Sequence, residues 1–297
     1  MKQTSSGYTL WSAAIVLCVI ASLFALFFAS CTKPETSASG GGLNIEDEDL
    51  SGLSPEGGDG PFSPGAPGEN GGPENPPQGT GESPEGTGSV RLGETEDAGR
   101  EYLDKLIFLG DSTTYGIGYY YDRGFPDLVP HSQVWTPASG TLTLAYYATA
   151  TVVYPETGEE ILIRDALERA KPEYLVITLG VNGISFMDRD WFIRVYTALV
   201  DMVKSASPET KIILNSIYPV TAGYPYQNDI NNDRIRTANG WIEEIAANTG
   251  TRFLYTYESV ADGNGNLPED STNDNGLHLT GEAFTKVMQY IRTHAYR

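Results

Sequence analysis

The chain has 297 residues, 39 of them acidic and 19 basic, for a formal net charge of −20. Nothing in it forms a basic footprint that could hold phosphates, which argues against nucleic acid as a partner. Both cysteines, Cys18 and Cys31, lie in the first 31 residues, so disulfides and thiolate metal sites are excluded from everything that follows.

Residues 10–30 run for 21 positions without a charge, after Lys2 and before Lys33. That length can span a bilayer as a helix, and it exceeds the usual apolar core of a cleaved signal. Phe28-Ala29-Ser30-Cys31 resembles a bacterial lipobox, in which the cysteine is lipidated and becomes the new N-terminus. Three readings stay open: a lipidated Cys31, an uncleaved N-terminal helix, and simple secretion. All three expect the domain outside the cytoplasm, and the first two hold it at the cell envelope. Residues 34–100 then hold 17 of the 33 glycines and 9 of the 18 prolines, with 14 acidic and 2 basic residues. Such a composition cannot bury enough apolar surface to offset its backbone entropy, and disorder is expected. As a coil this tether would reach roughly 45 Å, further if its like charges repel. The expected organisation is an anchor or signal over residues 1–31, a linker over 32–100 and one domain over 101–297.

In that domain, residues 105–109 read as a strand buried on both faces. It stops at Gly110-Asp111-Ser112, and residues 112–116 should open a helix. A short strand is expected at 133–135, a turn at Ser139-Gly140-Thr141, and helix over 142–150. Residues 164–171 read as a helix ended by Pro172, and 174–179 as a buried strand closed by Gly180-Val181-Asn182-Gly183. Residues 190–206 carry Trp191, Val195, Leu199, Met202 and Val203 at helical spacing. A strand over 211–217, a helix over 231–248 stopped near Gly250, and a strand over 252–255 follow. Thr280 is expected to cap the last helix. Strand and helix alternate without a two-residue hairpin signal. This predicts an α/β fold: a three-layer, doubly wound parallel sheet of about five strands.

An apolar strand that ends by presenting a hydroxyl places Ser112 where open α/β sheets bind ligands. A serine nucleophile needs a base and donors for the oxyanion. Only three histidines are available. His294 sits on the terminal helix and His131 follows Pro130 ahead of a strand. His278 lies in Asn275-Gly276-Leu277-His278, a loop that can reach the strand ends, and is the candidate base. No Gly-x-Ser-x-Gly elbow surrounds Ser112, Gly116-x-Gly118 lacks the third glycine of a dinucleotide fingerprint, and no His/Cys cluster has zinc spacing. No cofactor or metal is expected.

Four blocks in order resemble the GDSL or SGNH hydrolase family: Gly110-Asp111-Ser112, Gly140, Gly180-Val181-Asn182-Gly183 and Asn275-Gly276-Leu277-His278. The resemblance covers residues 104–295 and implies a flavodoxin-like SGNH fold. It implies that Ser112 attacks a carbonyl with His278 as general base, then acid. The oxyanion hole would be the N–H of Ser112, the N–H of Gly140 and the side-chain amide of Asn182. Asp111 reads as structural. Two positions depart from the family pattern. Gly183 stands where an aspartate is usual, and Asn275 fills the slot of the aspartate that supports the histidine. Asparagine can orient an imidazole but lacks the charge. Asp274, next to it, could substitute if the loop shifts by one residue. A slower enzyme or a serine–histidine dyad is therefore expected.

Three functions compete. The first is an extracytoplasmic serine esterase removing acyl groups, with acetyl foremost, from small molecules or from wall or environmental glycans. The second is a glycan O-acyltransferase using the same acyl-Ser112. The third is a non-catalytic binding protein with a degenerate triad. Tyr115, Tyr119, Trp135, Tyr146 and Tyr226 lie near expected strand ends, where aromatic faces would suit sugar rings.

Overall fold

The computed structural model describes residues 89–297. The anchor segment, Cys31 and most of the linker lie outside the described residues. In chain order the elements are α1 (Gly99–Leu103), β1 (Leu106–Gly110), α2 (Ser112–Tyr121), β2 (Val134–Trp135), β3 (Thr151–Val153), β4 (Glu160–Leu162) and α3 (Ile163–Ala170), then β5 (Tyr174–Thr178), α4 (Arg189–Ala206), β6 (Lys211–Asn215), α5 (Asn232–Thr249), β7 (Arg252–Leu254), α6 (Tyr257–Val260) and α7 (Gly281–Thr293).

Five strands form a wholly parallel sheet in the order β2-β1-β5-β6-β7. Leu109 pairs with Ile177, Ile177 with Leu214, and Leu214 with Phe253. These residues belong to one apolar core, with Ile163 and Leu167 of α3, Phe192 and Tyr196 of α4, and Ile235 and Ile242 of α5. Their strand neighbours Phe108, Val176, Ile213 and Leu254 belong to the other, with Leu103 of α1, Ile117 of α2, Val260 of α6, and Phe284 and Val287 of α7. The strand period of two thus feeds two cores, one on each face. That is the three-layer arrangement expected of an α/β chain.

The chain turns one way from β1 to β2 and the other way to β5. The carboxyl ends of β1 and β5 therefore flank a topological switch point, where a crevice opens. Ser112 follows β1 and Asn182 follows β5.

Helix ends match their sequence signals. Asp188, Asn231 and Thr280 each accept an N–H of their own first turn, from Trp191, Arg234 and Ala283. Gly250 ends α5 in the left-handed conformation. On α4 the buried stripe is Phe192, Tyr196, Leu199, Val200 and Val203, while Trp191, Val195 and Met202 sit at its half-buried margin.

Three expectations are corrected. The 142–150 segment is not a helix: Thr143 is extended, and only a 3-10 turn forms over Leu144–Tyr146. A separate antiparallel hairpin, β3–β4, stands after it. Each of its strands has three residues, too few to show alternation, and six residues separate them. The domain also begins before residue 101. Arg91 pairs in parallel with Phe253, Leu92 N–H donates to the Phe253 carbonyl at 2.8 Å, and Phe253 N–H donates to Val90 at 3.0 Å. Arg91 also meets Glu243 at 2.6 Å. This segment covers the open edge of β7, whose backbone groups would otherwise lack partners.

Gly110 is where β1 hands over to α2. A Cβ there would lie 2.0 Å from Thr114 Oγ1 and 2.8 Å from the Thr178 carbonyl oxygen, which is backbone of β5. Gly110→Ala is therefore expected to cost about 1–3 kcal/mol of folding stability. Urea unfolding checks this; an unchanged midpoint would show that the handover tolerates a side chain.

Candidate active site

Ser112 is the first residue of α2, and Asp111 caps the helix. Asp111 Oδ1 accepts the Thr113 N–H at 3.0 Å and the Thr113 hydroxyl at 2.7 Å. The cap turns the chain sharply, so the Ser112 side chain leaves the strand end. The first N–H groups of a helix have no intrahelical partner, which leaves the Ser112 N–H available at the positive end of the helix dipole.

His278 comes to Ser112 from 166 residues away. Its Nε2 lies 2.9 Å from Ser112 Oγ. On the other side of the ring, Nδ1 lies 2.6 Å from Asp274 Oδ2. With Asp274 ionised, Nδ1 donates to the carboxylate and Nε2 accepts the serine proton. The other histidines are elsewhere: His131 Nε2 is 3.3 Å from Asp122, and His294 stacks on Tyr290 with ring centroids 3.8 Å apart.

The imidazole partner is therefore Asp274, four residues before the histidine, and Asn275 is not in the aspartate slot. Asn275 is exposed, and both ring nitrogens are taken by Asp274 and Ser112. The loop explains the shift. Asp274 Oδ1 accepts the N–H of Gly276 at 2.9 Å, of Leu277 at 2.9 Å and of His278 at 3.2 Å, and the Thr272 hydroxyl at 2.8 Å. One carboxylate oxygen is thus fixed by the loop and the other is aimed at the ring. Gly276 has φ +119°, and Thr221 Oγ1 lies 2.2 Å from where its Cβ would be, so only glycine closes the turn there. Thr221 N–H donates to the Gly276 carbonyl at 3.0 Å and ties the loop to the neighbouring one. The expected dyad is replaced by a three-membered Ser112–His278–Asp274 chain.

The electrostatics follow. Burial pushes the Asp274 carboxyl up, but the His278 hydrogen bond and the Leu277 and Gly276 N–H groups outweigh it, holding the group well below the ordinary carboxylate range. Asp111 goes the other way. Burial pushes it up to about 6, against the Thr113 hydrogen bonds and the pull of His278.

The expected oxyanion donors are differently placed. The Asn182 amide donates to the Leu142 carbonyl at 3.1 Å and lies 3.5 Å from Asp111 Oδ2. It is thus held between the Gly140 loop and the nucleophile's cap, an arrangement no local sequence signal announces. Gly140 has φ +72° and packs beside Tyr115, one turn beyond Ser112 on α2. Its N–H, expected to be free, donates to the Pro137 carbonyl at 2.8 Å because it closes a four-residue turn. It becomes an oxyanion donor only if that turn opens. Gly183, in the place of a family aspartate, has Met187 Sδ 2.8 Å from where its Cβ would be, so a side chain there would displace the methionine.

A model of the GDSL-like Lipase/Acylhydrolase family matches residues 108–284. Among solved structures, a GDSL-like lipase from Bacteroides thetaiotaomicron is 19% identical with a TM-score of 0.45, over 65% of this chain and 88% of that one. The periplasmic domain of a Salmonella lipopolysaccharide acetyltransferase is 16% identical, TM-score 0.43, over 68% and 84%. A carbohydrate esterase family 3 protein from Talaromyces cellulolyticus is 16% identical, TM-score 0.41, over 63% and 93%. No curated protein gives a significant match.

A buried carboxyl whose folded value is raised stabilises the fold below its ordinary range, and this contribution is lost as pH rises through about 6. Asp111→Asn removes that loss. Its stability relative to the wild type is expected to rise by up to about 3 kcal/mol between about pH 4 and 6, then level off. Urea unfolding at several pH values measures this; a pH-independent difference would show that burial does not raise the Asp111 carboxyl above its unfolded value.

Proposed function

Because the chain belongs to the GDSL-like lipase/acylhydrolase family, we propose that it is a serine esterase working through an acyl-Ser112 intermediate. The observation that carries this reading is the 2.9 Å approach of His278 Nε2 to Ser112 Oγ, backed by Asp274. His278 takes the Ser112 proton as Oγ bonds to the ester carbonyl carbon. The oxyanion so formed is met by the Ser112 N–H, and by the Asn182 amide once one of its hydrogens leaves Leu142 or Asp111. Asp274 stabilises the imidazolium. Collapse breaks the bond to the alcohol, which leaves with the proton from Nε2. Water then gives a proton to His278, attacks the acyl carbon and releases the acid and free Ser112.

We place the enzyme outside the cytoplasm, held by the uncharged segment at residues 10–30 or by a lipidated Cys31, with the Gly/Pro-rich acidic segment as its tether. The support is in the sequence: an uncharged run of spanning length, a lipobox-like stretch, and a linker that cannot form a core. An alkaline phosphatase fused after residue 100 folds to activity only when exported. Active fusions are expected in intact cells, and inactive ones would place the domain inside.

Ser112→Ala is expected to lower kcat for 4-nitrophenyl acetate by at least about 10³-fold, and Asp274→Asn by about 10³- to 10⁴-fold, because the imidazolium loses its counter-charge. Asn275→Ala should stay within about twofold, since both ring nitrogens are taken by Asp274 and Ser112. Wild-type turnover in Ser112→Ala would overturn the esterase reading. A larger loss from Asn275→Ala than from Asp274→Asn would return the supporting role to Asn275.

A further inference from the structure

Beside the Ser112 site lies a cleft of about 370 Å³, bounded by the Pro137–Thr143 loop, the Tyr146 turn and the β3–β4 hairpin. It is joined to the site by shared backbone. Leu142 lines the cleft, and its carbonyl accepts the Asn182 amide at 3.1 Å. Gly140, in the same loop, packs beside Tyr115 on the helix that Ser112 begins. A molecule lying in the cleft is one loop away from the nucleophile.

The lining chemistry is narrow. Ser139, Thr141, Thr143 and Thr151 contribute hydroxyls, and Glu160 is the one charged side chain. Glu160 Oε1 is held by the Ala138 N–H at 2.8 Å and the Thr151 hydroxyl at 3.3 Å, leaving its second oxygen to accept from a ligand hydroxyl. No cation lines the cleft, so a phosphate or carboxylate would meet Glu160 unopposed. An alkyl chain would strip water from these hydroxyls and from Glu160 without replacing its hydrogen bonds. Tyr146 also lines the cleft, 69% exposed, the most exposed large apolar side chain among the described residues. A lining of one exposed aromatic ring, several hydroxyls and one carboxylate matches a pyranose, with C–H groups for the ring and hydroxyls for the polar groups.

We infer that this cleft binds the alcohol half of the ester, and that this half is a neutral oligosaccharide held by Tyr146 and Glu160. The inference rests on the esterase reading for its meaning, but the binding can be tested apart from catalysis. In the full-length protein, O-acetylated xylotetraose and 4-nitrophenyl acetate serve as paired substrates. Tyr146→Ala is expected to lower the ratio of kcat/KM for the sugar ester to that for the aryl ester about tenfold, through KM. An unchanged ratio would overturn the inference. An O-acetylated oligogalacturonide, with a carboxylate on every ring, should be the poorer substrate, and a preference for it would remove the assignment to neutral sugars. Calorimetric titration with unacetylated xylotetraose separates the two readings. If the wild type hydrolyses neither ester but binds this sugar, and Tyr146→Ala weakens binding about tenfold, the esterase reading fails and the cleft assignment stands. If the wild type cleaves the aryl ester but does not bind the sugar, the cleft assignment fails alone.

Discussion

The site depends on keeping one carboxylate ionised at the rim of the sheet. Asp274 must offer a full negative charge to an imidazole 2.6 Å away while partly withdrawn from water. Burial alone would push its carboxyl up. Three consecutive backbone N–H groups and a threonine hydroxyl reverse that by converging on its other oxygen. The same contacts fix the rotamer, so charge and aim come from one cradle. The cradle in turn needs Gly276, pressed against Thr221, and hence the loop that follows β6.

Asp111 is the complementary case. It is next to Ser112 in sequence, yet it is buried and its carboxyl is pushed up to about 6. Its work is geometric: it caps α2, turns Ser112 off the strand end and holds Asn182 from the other side of the switch point. Two carboxylates with opposite environments thus take opposite tasks, one as a charge and one as a brace.

The parallel sheet is what brings these parts together. Crossovers return every strand in the same direction, so the loops after β1, β5 and β6 and before α7 gather at one edge. Two apolar cores, fed by alternate residues of the same strands, hold that edge rigid. The loops themselves send apolar side chains into the core, Val181 and Ile184 after β5 and Ile217 and Val220 after β6, and side-chain-to-backbone hydrogen bonds such as Asn182 to Leu142 tie them together.

Much was legible in the chain alone, because it rests on local chemistry. Apolar runs of five, helical spacing and capping residues mark the central strands and long helices. Ser112 is visible as a hydroxyl at a strand end, and His278 by elimination among three histidines. The short hairpin was not legible, since three-residue strands leave no period to read. Nor was the use of residues 90–92 along β7, because edge pairing is a contact with a distant strand. The choice of Asp274 over Asn275 was open in the sequence and needed the fold. Two adjacent side chains in a loop differ in direction only once its turn is set, and that turn is set by Thr221, which is 55 positions from Gly276 and touches it only in the folded protein. The committed N–H of Gly140 has the same origin. Sequence determined which groups this protein has for its chemistry. Tertiary structure decided which of them face each other, because hydrogen-bond direction in a loop is imposed by neighbours that the local sequence does not contain.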